Sequence, residues 1–166
     1  NVRYQVGGYG NLLLSRWPVV ERHQISLRIA RKKPRGAQVV RVETPEGELR
    51  LVNWHLGLAE RERQEQVERL FGHRFFRQAA GTPTLVAGDF NDWRNTLSPL
   101  FEEHDFEHVT TPPSRYRTFP AYMPVGSLDK VYRHGGVRIR EAFVVRSPYA
   151  KLASDHLPMV VGFHLE

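Results

Sequence analysis

The order of apolar and polar positions predicts a chain made mainly of strands. Short segments either alternate between apolar and polar residues, as half-buried strands do, or form brief apolar runs bounded by turn residues. Residues 44–47, Thr-Pro-Glu-Gly, predict a turn that joins two of these segments into a hairpin. The predicted strands cover residues 11–16, 24–31, 38–43, 48–54, 84–87, 127–132, 137–145 and 158–165.

One long helix is predicted between the strands, over residues 58–80. Its apolar residues recur at the spacing of a single helix face, and Gly81 and Pro83 follow as a stop signal. A shorter helix is predicted over residues 97–104. Strands with few helices indicate an α+β class, in which helices cover a sheet. The residues of the long apolar stripe are Val67, Leu70, Phe71, Phe75 and Gln78 or Ala79.

Length and composition suit one globular domain. The chain has 166 residues, of which 40% are hydrophobic and 25% charged, and it has no apolar run long enough to cross a membrane. The sequence contains no cysteine. This excludes disulfides, thiolate zinc sites, iron–sulfur clusters and a cysteine nucleophile, and it fits a reducing, cytoplasmic compartment.

The charge is strongly basic. Lysine and arginine number 24 against 18 acidic residues, giving a net charge of +6, and residues 31–36 form a basic cluster expected in an exposed loop. Arginine is the main cation, and its planar fork suits phosphate groups. A polyanionic partner such as DNA or RNA is one interpretation, and a compositional bias of the source genome is the other. No motif predicts a protein partner.

Acidic and imidazole residues collect where predicted strands begin or end. Oxygen-rich donors without thiols favour Mg²⁺ or Mn²⁺ over zinc, and a carboxylate beside a histidine can orient its ring. Each motif alone also has a plain structural interpretation as a turn, a surface pair or a satisfied buried pair. These residues are His55, Asp89, Asn91, Asp129, Asp155 and His156.

Five segments in this order resemble the endonuclease/exonuclease/phosphatase superfamily. The resemblance implies a four-layer α/β/β/α sandwich with two mostly antiparallel sheets. It also implies a divalent-metal-dependent hydrolase of phosphoester bonds. The segments are residues 11–18 (NLLLSRWP), 53–56 (NWHL), 88–91 (GDFN), 127–132 (SLDKVY) and 154–158 (SDHLP).

The same resemblance implies roles for the catalytic residues. Asp89 would orient or deprotonate the attacking water, and Asn91 would hold that water or the phosphate. His156 would stabilise the phosphate in the transition state, with its ring oriented by Asp129. His55 would contact the phosphate or help protonate the leaving group.

The resemblance also implies that Asp155 is a ligand of Mg²⁺ or Mn²⁺. Asn53, Trp93 and Arg94 are the candidate substrate contacts. Trp93 either stacks on a base or caps the loop, and Arg94 either contacts a phosphate or lies in a solvated loop. A nucleic acid is favoured as the phosphoester substrate, and a phospholipid or small phosphoester is the alternative.

One departure from the superfamily concerns the start of the chain. Its first strands, which carry an asparagine and a metal-binding glutamate, have no counterpart in residues 1–10, and Glu21 lies too late. We therefore expect residues 1–166 to form the C-terminal two-thirds of a single domain. Either the natural protein is longer, or the chain is a truncated, catalytically weak homologue. A non-catalytic binding module is the further alternative if the natural protein lacks the metal-binding glutamate.

Overall fold

The computed structural model describes residues 2–3, 8–78 and 81–166. The helices in these ranges are α1 (Glu60–Gly72), α2 (Arg74–Gln78), α3 (Ser98–Glu102) and α4 (Pro148–Ala153), with a short 3-10 helix at Pro113–Arg115. None of them is long and apolar enough to cross a membrane. The strands are β1 (Val2–Arg3), β2 (Gly8–Tyr9), β3 (Val19–Ser26), β4 (Gly36–Thr44), β5 (Gly47–His55), β6 (Thr84–Asp89), β7 (Glu107–His108), β8 (Asp129–His134), β9 (Val137–Val144) and β10 (Met159–Leu165).

Two sheets form the centre of the fold. The larger has the strand order β3-β4-β5-β6-β8-β7, and its one parallel pair is β5 with β6. A parallel pair needs a crossover connection, which α1 and α2 supply. The smaller sheet pairs β9 with β10 in antiparallel order, and β1 pairs with β2 separately. The predicted α+β class with two mostly antiparallel sheets is confirmed.

The larger sheet is apolar on both faces. On one face, Trp54 lies edge-on to Phe90 and Phe101 in a cluster that includes residues of α1, α2 and α3. On the other face, a second cluster joins residues of β4 such as Val40 and Val42 to the sheet formed by β9 and β10. The layers are therefore the helices, the six-stranded sheet and the two-stranded sheet. Apolar side chains fill the space between the layers, so polar site residues can lie at the strand ends.

The predicted long helix is interrupted, which corrects the prediction for its second half. Helix α1 ends at Gly72, His73 is extended, and α2 ends at Gln78. Because the helix is interrupted, the side chains of α2 that face the core differ from those expected for one continuous helix. Phe76 is buried in the core, whereas Phe75 is half-buried and stacks on His23 at 3.7 Å between ring centroids. Residues 79–80 lie outside the described residues.

The first two predicted strands are also corrected. Residues 11–16 form no strand, and Leu12 and Leu14 are 73% and 83% exposed. Ser15 explains this locally, because its hydroxyl bonds the backbone of Trp17 and so favours a turn over a sheet ladder. The next strand is β3, which ends at Ser26 instead of continuing to residue 31.

The remaining predicted elements are confirmed with small shifts of their ends. The hairpin of β4 and β5 turns at residues 45–46, and α3 occupies part of the short predicted helix. Helix α4 was not predicted, although its start carries a clear signal. Ser147 accepts a hydrogen bond from the backbone of Ala150, and Pro148 follows as the first helical residue.

Gly88 permits the close approach of β6 to β5. Its φ is +142°, a value that residues with side chains rarely adopt, and a Cβ there would lie 2.1 Å from the carbonyl oxygen of Trp54. The clash would be with backbone, which cannot rotate away. The strand end that carries Asp89 therefore depends on this glycine.

We expect Gly88→Ala to lower the free energy of unfolding by about 2–4 kcal/mol, because it adds both backbone strain and a steric clash. Gly72→Ala is the matched control, since a Cβ there would meet nothing within 4 Å. Denaturant unfolding of both variants measures the difference. Equal stability of the two variants would contradict this account of Gly88.

Candidate active site

Three site residues lie side by side because of strand register. In the parallel pair, His55 at the end of β5 stands opposite Asp89 at the end of β6. In the next, antiparallel pair, Asp89 stands opposite Asp129 at the start of β8. Cross-strand neighbours in register place their side chains on the same face of a sheet. The register alone therefore brings one imidazole and two carboxylates together.

His156 joins this row from the segment before β10. Its Nδ1 lies 2.7 Å from Oδ2 of Asp129, and its Nε2 lies 4.0 Å from Oδ2 of Asp89. The same Asp89 oxygen is 3.3 Å from Nε2 of His55. Asp89 thus lies between two imidazoles, and Asp129 holds the ring of His156 in orientation.

Thr118 supports this arrangement and was missed as a site residue. Its buried hydroxyl donates a hydrogen bond to Oδ2 of Asp129 at 2.5 Å, and its carbonyl accepts one from the backbone of Leu157. Thr118 therefore holds in place both the Asp129 carboxylate and the segment that carries His156. The contact of this hydroxyl with Asp129 becomes visible only in the folded chain, because the two residues are 11 positions apart.

The loop after β6 is fixed by its own side chains. Asn91 has a φ of +50°, donates its backbone N–H to Oδ1 of Asp89, and donates its side-chain amide to the carbonyl of Leu56. Asn91 therefore locks the end of β6 to the end of β5. Its expected contact with phosphate or water stays a prediction.

A group of buried charged residues lies beneath this loop and was not predicted from the sequence. Asp92 is fully buried and accepts hydrogen bonds from Thr96 and Leu97. Lys130 is nearly fully buried and donates to Asn95 and to the carbonyl of Ser127. Burial lowers the pKa of Lys130 to about 8. These contacts hold the loop without reaching the site.

The environment moves the two imidazoles in opposite directions. Burial, together with the charge of Arg35, lowers the pKa of His55 to about 4, so this ring is neutral near pH 7. The hydrogen bond that Nδ1 of His156 donates to the Asp129 carboxylate raises the pKa of His156, which favours its cationic form. Burial raises the pKa of Asp89. Two rings with opposite pKa shifts on either side of one carboxylate can take different parts in a proton-transfer reaction.

The other predicted residues lie around this centre. Asp155 is exposed next to His156, and Arg94 is exposed after the loop. Trp93 is 55% exposed and lies edge-on to Phe119, whose ring centroid is 4.8 Å from that of His156. Asn53 stands apart, because its amide donates to the carbonyl of Leu12 and to Gln38.

The donor set falls short of a metal site. Within the described ranges, no group of three or more histidine, aspartate or glutamate side chains is placed to hold a metal ion. The described residues alone therefore do not make the Mg²⁺ or Mn²⁺ site expected from the sequence.

Comparison with known proteins identifies relatives of the whole chain. The model of the endonuclease/exonuclease/phosphatase family matches residues 2–156. The uncharacterized protein YbhP of Escherichia coli is 32% identical over 171 aligned residues, which cover 99% of this chain and 66% of that protein. The chain thus spans about two thirds of the length of this relative.

Solved structures share the fold at lower identity. The human Nocturnin catalytic domain, solved with a bound sulfate anion, aligns with a TM-score of 0.71 at 22% identity and covers 91% of this chain and 60% of its own. A mannosyl-6-phosphatase of Bacteroides thetaiotaomicron aligns with a TM-score of 0.71 at 15% identity, over 90% and 67%. These likenesses show the fold.

We expect Asp129→Asn to lower the pKa of His156, because the carboxylate that favours the imidazolium is removed while burial still disfavours it. NMR titration of the metal-free chain measures this shift, with exposed Glu103→Gln as the matched control. A raised pKa in the folded state stabilises the fold at pH below about 6.5, and this contribution is lost as the pH rises through the raised value. In Asp129→Asn, this loss of stability with rising pH should be absent. An unchanged pKa of His156 would contradict the contact between His156 and Asp129.

Proposed function

Since this chain belongs to the endonuclease/exonuclease/phosphatase family, we propose that it hydrolyses phosphoester bonds with an activated water. The observation that carries the proposal is the position of Asp89 between two imidazoles, one of them held by Asp129. Carboxylates and histidines so placed are suited to general acid–base work on a phosphate.

Each residue has a part that follows from its surroundings. Burial raises the proton affinity of Asp89, so this carboxylate orients the water and accepts its proton as the oxygen attacks phosphorus. His156 in its cationic form donates a hydrogen bond from Nε2 to a phosphate oxygen and offsets the charge that develops there. The bond from phosphorus to the leaving oxygen then breaks.

His55 fits one of its two expected roles better than the other. Because its pKa is about 4, His55 is almost entirely in its neutral form at neutral pH and is a poor proton donor. A neutral ring can still contact the phosphate through a ring nitrogen. We therefore assign His55 to phosphate contact and not to protonation of the leaving group.

No step of this reaction is assigned to a metal, because the described residues do not gather three ligands. Asp155 remains the proposed ligand of Mg²⁺ or Mn²⁺ contributed by this part of the chain. Comparison of turnover with and without EDTA tests that dependence directly.

A phosphodiester in a nucleic acid is the favoured substrate. Exposed Trp93 and Arg94 lie just after the catalytic loop and suit a base and a backbone phosphate, respectively. A small phosphoester is the second candidate, supported by the structural likeness to a mannosyl-6-phosphatase. Plasmid nicking should weaken steeply with salt if polyanion contacts matter, whereas turnover of a small sugar phosphate should not.

We expect Asp89→Ala and His156→Ala each to lower turnover of bis-p-nitrophenyl phosphate at least about 100-fold, the scale of a lost acid–base or electrostatic group. His104→Ala is the matched control, because this exposed histidine follows α3 and contacts Phe71 on the helical side of the sheet. The assay compares release of p-nitrophenol with Mg²⁺, Mn²⁺ and EDTA.

Two results would contradict the proposal. Near-normal turnover in either site variant would remove that residue from the reaction. Absence of turnover of diesters, monoesters and plasmid DNA in every metal condition would favour a non-catalytic binding module.

A further inference from the structure

Arg35 lies at the same end of the large sheet as the catalytic row. It directly precedes β4, and its carbonyl accepts a hydrogen bond from the backbone of Leu27 at 3.0 Å. In β4, Ala37 stands opposite Trp54, so the next step of that register brings Gly36 beside His55. Gly36 has no side chain to fill this position. Arg35 therefore directly precedes the β4 position that lies beside His55.

The side chain of Arg35 is unusual for an arginine in a loop. Only 9% of the residue is exposed, although the neighbouring Arg31, Lys32 and Lys33 are all exposed. Its Nε is buried with no hydrogen-bond partner, and among the described residues no carboxylate forms an ion pair with its guanidinium. A buried cation without a partner is costly, so such a group calls for a functional reason.

The charge of Arg35 acts on the catalytic residues. It helps to lower the pKa of His55 and opposes the rise in the pKa of Asp89. Lys33 of the same loop acts on His55 in the same direction, but it is exposed. Arg35 thus supplies a positive charge that acts on a site whose own carboxylates would repel an anion.

We propose that Arg35 is an anion-binding residue of this site, whose guanidinium holds a non-bridging oxygen of the substrate's phosphate beside His55. Arginine suits this task because its planar fork donates parallel hydrogen bonds to two oxygens of one phosphate. The inference rests on the proposed phosphoester chemistry for the identity of the anion. Phosphate binding itself is measurable without turnover.

The test uses inorganic phosphate as the probe and the thermal unfolding midpoint of the chain as the readout. Phosphate is titrated against sodium chloride at equal ionic strength, so that general screening cancels. The midpoint of the wild-type chain should rise with phosphate, because a ligand that binds only the folded state stabilises it. Arg35→Met should weaken phosphate binding at least about 10-fold, the scale of a lost charged hydrogen bond.

Two further variants separate binding from structure. Arg31→Gln removes one positive charge from the exposed part of the same loop and should leave the response to phosphate unchanged. Arg35→Lys keeps the charge but not the fork, and its response should lie between those of the wild type and Arg35→Met. Without phosphate, Arg35→Met should unfold at the wild-type temperature or above it, because an unpaired buried charge is removed.

The outcomes distinguish this inference from the proposed activity. Loss of the phosphate response in Arg35→Met, with the response kept in Arg31→Gln, supports the anion site whether or not hydrolysis is observed. A phosphate response in Arg35→Met equal to that of the wild type overturns the inference even if His156 proves essential for turnover. An equal loss in Arg31→Gln and Arg35→Met overturns it as well, since the effect would then be general loop charge.

Discussion

The alignment of three strand ends is the constraint on which the site depends. Because β5 and β6 are parallel and β8 is antiparallel to β6, His55, Asp89 and Asp129 fall in one row across the sheet. A slip of one residue in either pairing would turn the side chains of that strand to the opposite face. The close backbone contact at Gly88 fixes β6 against β5, so the geometry of the candidate site is set by backbone packing before any side chain is considered.

Electrostatics then gives similar residues different parts. Two imidazoles lie within 4.0 Å of the same Asp89 oxygen, yet burial beside Arg35 keeps His55 neutral, whereas Asp129 favours the cation at His156. Thr118 completes this division by holding Asp129 in place. The separation is produced by the neighbours of each ring and not by the rings themselves.

Sequence patterns predicted the elements that carry the site but not their irregularities. Alternation and turn residues placed β4, β5, β6 and β8 correctly, because these strands are buried in the regular manner that such patterns describe. The interruption at His73 was invisible, since an apolar stripe continues at nearly helical spacing on both sides of it. The strand predicted over residues 11–16 was wrong for a related reason. The length of an apolar run does not show whether its side chains pack against another layer of the structure.

The candidate site shows the same division between what motifs reveal and what only the fold reveals. Asp89, Asp129 and His156 stand in recognisable motifs, and the structure brings them together. Thr118 contacts the site from 11 residues away along the chain, and Lys130 is a buried cation in what reads as a plain strand. Residue type and spacing alone do not distinguish such residues from ordinary polar residues on the surface.

The basic composition takes on a more specific meaning once the fold is known. A net charge of +6 spread over the surface would attract any polyanion, and the exposed cations of residues 31–33 can do no more than that. Arg35 differs because only 9% of the residue is exposed, and a charge acts more strongly where water screens it less. The same loop can therefore draw an anion towards the sheet edge and hold one phosphate there. Long-range attraction and local recognition are then carried by neighbouring residues of one segment.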